Sequence, residues 1–341
     1  MGSTGDWTAS GPEEVAPEVH RIPLPLPTDG LHAVNVYAVL DGERVTLIDG
    51  GWKIEAAQEA LQSALSSLHV KLKDIERCLV THHHRDHYTL AVELRRLAGL
   101  VLAVGVGEMG NIKAAGGQRR PLEEQFVQLH SAGAPRVIEA LDALGLKSIN
   151  EQDFELPDVW LDNGDEIDLG GRTLRVKATP GHTVGHVVFI DESGGLLFSG
   201  DHILPHITPS VGFQPGPTDT SPLADYLRSL AAILDEPDRV LLPAHGPAGG
   251  SAHRRAEQLL EHHEVRLTET AAAVRAGSGT AYETALALRW TRRGRHLAEL
   301  DPFNQMLAVN ETVAHLDVLR AQGRVVANVD GEGIRAYSTS G

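Results

Sequence analysis

One eight-residue run constrains this chain more than any other. Thr81-His82-His83-His84-Arg85-Asp86-His87-Tyr88 follows the apolar residues Cys78-Leu79-Val80, which read as the end of a buried strand. Histidines at i and i+2, followed by Asp and His two and three residues on, suit a compact turn with converging side chains. Neutral imidazole and carboxylate are the donors that borderline cations such as Zn²⁺ accept. His82, His84, Asp86 and His87 are therefore candidate metal ligands, and their spacing suits two metals with one ligand set each. The apolar period then turns helical over His87–Ala98, which places His87 at a helix N-terminus.

Three further strand-like runs end in the same manner. Leu174–Ala178 leads into Thr179-Pro180-Gly181-His182-Thr183, Gly195–Leu197 into Phe198-Ser199-Gly200-Asp201, and Val240–Leu242 into Pro243-Ala244-His245-Gly246. In each, small residues and proline form a tight turn that lets one side chain project from the strand end.

The rest of the pattern places these turns. Residues 1–17 are polar and read as a flexible tail. Strand signals cover Val19–Leu24, Ala33–Leu40 and Arg44–Asp49; Pro23 predicts that the first is an edge strand, and Asp41-Gly42 predicts a hairpin between the other two. Lys53–Leu68 has helical spacing. Residues 105–150 interrupt the strand rhythm with helical patterns at Leu122–Ser131 and Val137–Leu144, a helical insertion that could serve as lid or as structural elaboration. Strands return between Val159 and Leu204. After Ala248-Gly249-Gly250 the texture changes to helices (His253–Ala276, Tyr282–Arg289, Pro302–Gln322) and a hairpin about Asp330-Gly331. This predicts a catalytic unit over 18–250 and a small winged-helix-like α+β unit over 251–341.

The four turns in this order resemble the metallo-β-lactamase superfamily: H-x-H-x-D-H, a Gly-His turn, an S-G-D turn and a final Gly-flanked His. Leu47-Ile48-Asp49-Gly50-Gly51 resembles the family's aspartate turn. The resemblance covers about residues 18–250 and implies an α/β fold, the αββα sandwich, with a dinuclear site of the glyoxalase II-like kind. It implies one metal on His82, His84 and His182, a second on Asp86, His87 and His245, and Asp201 between them, with Asp49 behind a ligand histidine. It further implies a hydrolase in which metal-acidified water attacks an electrophilic carbonyl or phosphorus, with Asp86 as a proton acceptor. Zinc suits the ligands, and iron or manganese is tolerated.

The chain departs from the family where Gly-Gly often follows the motif; here Tyr88, Thr89 and Leu90 come next, and Tyr88 is a candidate to reach the pocket and donate to an oxyanion, the other reading being that it packs under the helix. His186 is expected behind the ligands; His206 follows Pro205 in a loop that could line the substrate mouth. The C-terminal layout resembles a branch of the superfamily that includes a mitochondrial endoribonuclease with a winged-helix-like tail. A small acyl ester, thioester or lactone is the first expectation for substrate, single-stranded RNA the second and a β-lactam the third. A non-catalytic, metal-stabilised binding protein is the remaining reading.

Charge decides the order. The chain has 46 acidic and 30 basic residues and a net charge of −16, which opposes broad affinity for nucleic acid or an anionic membrane. Against that trend, Arg289, Arg292, Arg293, Arg295 and His296 cluster around Trp290, either a solvated helix end or a local surface for RNA or for coenzyme A phosphates. The N-terminal residues lack a secretory pattern, no apolar stretch is long enough for a membrane helix, and the single cysteine, Cys78, excludes an internal disulfide. A cytoplasmic location is expected. Oligomeric state stays open, a homodimer being the commonest assembly.

Overall fold

The computed structural model describes residues 6–27, 30–117, 122–145, 151–212 and 221–340. The first sheet is built from β1 (Glu13–Ala16), β2 (Val19–Pro25), β3 (Ala33–Asp41), β4 (Arg44–Ile48), β5 (Ile75–Val80), β6 (Val101–Gly105) and β7 (Val159–Leu161), in that spatial order. It is antiparallel through β4 and parallel from β4 to β7. The helices α1 (Glu55–Ser67) and α2 (Arg85–Ala98) make the two parallel crossovers on either side of β5. Among its described residues the expected insertion carries α3 (Met109–Ala115), α4 (Glu123–Ser131) and α5 (Pro135–Asp142). Its residues 118–121 and 146–150 lie outside the described residues.

The second sheet comprises β8 (Glu166–Asp168), β9 (Thr173–Ala178), β10 (Val187–Asp191), β11 (Leu196–Gly200) and β12 (Val240–Pro243), ordered β12-β11-β10-β9-β8. The helix α6 (Pro222–Leu234) links β11 to β12. The C-terminal segment carries α7 (Ala252–Arg275), α8 (Ala281–Ala287), α9 (Pro302–Ala321) and the hairpin of β13 (Val325–Val329) with β14 (Arg335–Thr339).

Period-two alternation sorts the strand residues into layers. In β3, Val34, Val36 and Ala38 pack outward with α1 and α2 residues, whereas Tyr37 and Val39 face the second sheet. In β10, Val187 and Phe189 face inward, and Val188 and Ile190 pack outward against α6, α7 and α9. Three apolar clusters thus fill the three interfaces of a four-layer αββα sandwich. Each fully buried Leu, Val or Phe in them contributes about 1.5–3 kcal/mol. The outer cluster on the second sheet also takes Leu129 and Val137 from α4 and α5, and Val325 and Tyr337 from the hairpin. The insertion and the C-terminal segment therefore share one apolar layer. Cys78 is buried within the layer that covers the first sheet, and burial raises its thiol pKa well above the ordinary range.

Three boundaries differ from the sequence expectation. Residues 13–16, within the predicted tail, form β1, anchored by Glu13 accepting from the Arg21 guanidinium at 3.0 Å. β2 is consequently paired on both sides near its start. Its register with β1 stops at Arg21, so Pro23 lies beyond β1, where that side of the strand has no ladder to lose. Helix α2 begins at Arg85, with His84 as N-cap, so both Asp86 and His87 fall in its first turn.

Candidate active site

All seven sequence-predicted ligands come together at the C-terminal ends of strands from both sheets. His82 and His84 leave the end of β5, Asp86 and His87 start α2, His182 follows β9, Asp201 follows β11 and His245 follows β12. Close backbone approach requires glycine beside two of them. A Cβ at Gly200 would lie 2.7 Å from the Thr81 side chain, and one at Gly181, whose φ is +144°, would lie 2.4 Å from the Tyr226 Cβ.

The donors form groups. His182 Nε2 lies 3.2 Å from His82 Nε2 and 3.0 Å from His84 Nδ1. His245 Nε2 lies 3.4 Å from Asp86 Oδ2, and His87 Nε2 3.8 Å from the same oxygen. Asp201 spans the two groups: Oδ2 is 3.4 Å from His182 Nε2, and Oδ1 is 3.4 Å from His245 Nε2 and 3.8 Å from His87 Nε2. His87 Nε2, His245 Nε2 and Asp201 Oδ1 are buried and make no hydrogen bond. Two donors about 2.0–2.2 Å from one ion at a tetrahedral angle are about 3.4 Å apart. Burial without hydrogen bonds, at this spacing, is what donors facing a cation require, so the residues fit a divalent metal.

The far nitrogens of His82, His87, His182 and His245 are tied back, which turns the other nitrogen of each inward. His182 Nδ1 donates to the Ser210 carbonyl at 2.7 Å, and His245 Nδ1 to the Ala33 carbonyl at 2.8 Å. His87 Nδ1 lies 3.0 Å from Asp49 Oδ2, and His82 Nδ1 3.1 Å from the Thr81 hydroxyl. Asp49 Oδ1 also accepts from the Thr81 backbone at 2.8 Å. Asp49 holds this position with a φ of +60°, a left-handed conformation that costs a non-glycine residue about 1 kcal/mol or more. The His245 turn is braced by Asn35, whose amide donates to the Pro243 and Gly246 carbonyls at 2.9 and 2.8 Å.

Electrostatics divides the site. Burial, then the neighbouring imidazoles, hold His82 and His84 well below the ordinary histidine range, and burial lowers His182 against the pull of Asp201. These three are neutral donors at pH 7. Burial acts the same way on His87, but Asp49, Asp86 and Asp201 outweigh it and raise His87 to about 10. Burial also opposes ionisation of Asp86, yet His87 and His245 hold its carboxyl below the usual range. This half of the site is a concentration of carboxylates around imidazole, a place that attracts a cation.

Other expectations resolve individually. His186 sits behind the ligands as expected: its Nδ1 lies 2.9 Å from the Thr179 hydroxyl and its Nε2 accepts from the Asp201 backbone at 3.1 Å. His206 is exposed, next to the Gly246 turn. Tyr88 corrects the sequence reading. Its ring is fully buried, stacks on Phe154 at 6.2 Å, and its hydroxyl donates to the Glu155 carbonyl at 2.6 Å, so it does not face the ligands. Trp290 is likewise no exposed platform: it is buried, donates to the Ala285 carbonyl at 2.9 Å and carries the Arg266 guanidinium 4.5 Å over its ring.

Glu108 was not legible. It is completely buried, 2.7 Å from His83 Nδ1, and accepts from Thr183 and from Asn111, the latter at 2.9 Å. The only signal was an acid in the apolar, glycine-rich run after β6.

Comparison with known proteins agrees with the site. The family model described as metallo-beta-lactamase superfamily matches residues 29–245. "Probable metallo-hydrolase YqjP" of Bacillus subtilis (strain 168) is 27% identical over 327 residues, covering 91% of this chain and 94% of its own. Among solved structures, metallo-beta-lactamase family protein TTHA1429 from Thermus thermophilus superposes with a TM-score of 0.79 at 28% identity, over 96% of this chain and 100% of its own. A beta-lactamase domain protein from Burkholderia ambifaria gives 0.77 at 28% identity, over 96% and 93%. With its strand-end histidines and aspartates able to bind metal, the chain is a metallo-hydrolase that belongs to the metallo-β-lactamase superfamily.

Proposed function

We propose that this hydrolase acts on a small acyl ester or thioester, lactones included, with two divalent cations, Zn²⁺ in the first instance and Fe or Mn as alternatives. His82, His84 and His182 would hold one, Asp86, His87 and His245 the other, and Asp201 both. The observation that carries the two-metal reading is Asp201, whose two oxygens face different donor groups at 3.4 Å. Bound there, the cations supply Lewis-acid polarisation of the substrate oxygen and acidify water.

The chain's own residues do the remaining work. Asp49, Ser210 and Ala33 fix the imidazole tautomers, so the donor set is preorganised. Asp86, whose carboxylate lies 3.4 Å from His245 Nε2 in the second donor group, would take a proton from the attacking water and pass it to the leaving group. The net charge of −16 favours a small substrate over RNA, with a β-lactam third.

Residues 18–250 serve as the catalytic unit in this reading and residues 251–341 as a winged-helix-like unit. The order α7, a Thr280–Ala336 bridge, α8, α9 and hairpin supports the latter. A cytoplasmic setting accords with the one buried thiol, and a homodimer is the simplest assembly. Among the described residues no helix is long and apolar enough to cross a membrane.

The test is a screen of metal-loaded protein on acyl thioesters, lactones, a β-lactam and single-stranded RNA, with His84→Ala and Asp201→Ala beside it. Hydrolysis of thioester or ester should fall by orders of magnitude in both variants, with less metal bound per chain. Near-wild-type turnover in a metal-quantified variant overturns the site. A chelated protein that stays folded but inactive separates catalysis from a purely structural metal.

A further inference from the structure

We propose that Arg255 and Arg292 form an anion subsite at the rim of the metal centre, and that it holds a phosphate on the leaving group of an acyl thioester. The proposal rests on the hydrolase reading above and narrows its substrate.

The segment from His202 to Ser210 ties the rim to the metal donors. It starts beside Asp201, and its last carbonyl accepts from His182 Nδ1 at 2.7 Å. Midway it lies against the turn that carries His245: a Cβ at Gly246 would be 2.7 Å from Pro205 Cγ and 4.0 Å from His206 Cδ2. Two guanidiniums converge on this stretch. Arg255 donates to the Leu204 carbonyl at 2.6 Å and to the Ile207 carbonyl at 2.9 Å, and Arg292 donates to the His206 carbonyl.

These acceptors are neutral carbonyls, so the hydrogen bonds bring two cationic groups to one stretch of backbone without neutralising either. Burial lowers the pKa of Arg255; Tyr226 opposes that shift, and Arg292 adds a smaller lowering of its own. Arg292 is also held in place from below. Trp290 and Arg295 exchange backbone hydrogen bonds at 2.8 and 2.7 Å, closing a four-residue turn, and the buried Trp290 indole anchors it to the Ala285 carbonyl. Arg292 and Arg293 therefore project from a fixed turn, both exposed.

A cationic patch of this kind in a chain of net charge −16 calls for an anionic partner. The guanidinium fork fits phosphate and carboxylate alike, but a phosphate with nearly two charges neutralises two arginines, whereas a carboxylate neutralises one. The surrounding acidic field opposes a long polyanion, and the patch spans only a few side chains. A thiol carrying a diphosphate matches both limits. Hydrolysis breaks the acyl C–S bond, water supplies the oxygen of the carboxylate product, and the sulfur leaves as thiol with its phosphate still at the rim.

The test compares an acyl-coenzyme A thioester with the same acyl group on uncharged N-acetylcysteamine, using metal-loaded wild type, Arg292→Ala and Arg292→Glu. The kcat/KM ratio of charged to uncharged thioester should fall at least tenfold in Arg292→Ala and further in Arg292→Glu, through KM. An unchanged ratio overturns the subsite. Adenosine diphosphate binding, measured by calorimetry at equal metal content, decides the subsite even if wild type hydrolyses neither thioester, an outcome that would sink the hydrolase reading alone. Binding weakened at least tenfold in Arg292→Glu supports the subsite. Binding that persists there places the phosphate on the metals and overturns it. Single-stranded RNA that binds through Arg292 and is not displaced by adenosine diphosphate reassigns the patch to nucleic acid and also overturns it.

Discussion

Glu108 and His83 form a buried pair, Oε2 to Nδ1 at 2.7 Å, directly behind the first donor group. Burial opposes the charge on Glu108, but His83, Thr183 and Asn111 hold its carboxyl below the ordinary range. His83 lies between the candidate donors His82 and His84, and Thr183 follows the candidate donor His182. One carboxylate thus fastens two donor-bearing turns to each other.

Substituting that carboxylate should loosen the group His82, His84 and His182. Glu108→Ala should weaken binding of the first metal by about 10–100-fold, the range found for partners behind metal ligands, and Glu108→Gln by less. Competition with a chromophoric chelator measures this. Affinity equal to wild type in both variants would show that the turns are held without Glu108.

Asp49 acts on the other group. It accepts from Thr81 while facing His87 Nδ1 at 3.0 Å. Asp49→Asn presents an amide that satisfies only part of this pattern and removes the charge that favours a donor proton on Nδ1. Metal at Asp86, His87 and His245 should bind about 10–100-fold more weakly, while the His82, His84 and His182 group keeps its metal. Stoichiometry by metal analysis after graded chelation distinguishes selective loss from loss of both.

Tyr88 gives the opposite expectation. Removing its hydroxyl leaves the Glu155 carbonyl without that donor, so Tyr88→Phe should cost about 0.5–1.5 kcal/mol of stability. Because the hydroxyl points away from the ligands, kcat/KM should stay within about twofold of wild type. A hundredfold loss of kcat with intact metal would restore a catalytic role.

These contrasts show what the sequence carried. Polar ligand residues at the ends of apolar runs are conspicuous, because strands rarely close on His or Asp without cause. His182, Asp201 and His245 were legible for that reason, and Asp49 by its glycine turn. Tyr88 was misread because adjacency in sequence is not adjacency on a helix. One residue beyond His87 is about 100° further round α2, on the face that packs against Phe154. Glu108 depends on His83 and Thr183, which are distant in the chain and share no periodic pattern with it. The strand at Glu13–Ala16 has a polar sequence and is set by its pairing with β2. The shared apolar layer of α4, α5, α7 and α9 is a matter of packing between segments, beyond what local pattern records.

A histidine pair outside the candidate donor groups makes stability pH-dependent. His315 Nδ1 donates to the Glu311 carbonyl at 2.7 Å, which leaves Nε2 as acceptor for His263 Nδ1 at 3.2 Å. Both rings are about 1% exposed, so the pair is folded as two neutral imidazoles. Burial lowers His315 to about 4, against the pull of the Glu311 carbonyl and aided by Arg266 and His262; burial and His315 also depress His263. An unfolded histidine titrates near ~6.5. Between these values the unfolded chain takes up protons that the folded chain refuses, so stability is full above pH ~6.5 and declines as pH falls towards 4. His315 alone accounts for about 3 kcal/mol at the bottom of that window. Urea unfolding at pH 7.5, 6, 5 and 4.5 should show His315→Gln less stable than wild type at the top and converging with it, or passing it, at the bottom. Taking the difference between the two proteins at each pH, with metal in both, subtracts the metal's own acid release. A difference that stays constant across the series would show that the pair does not titrate with folding.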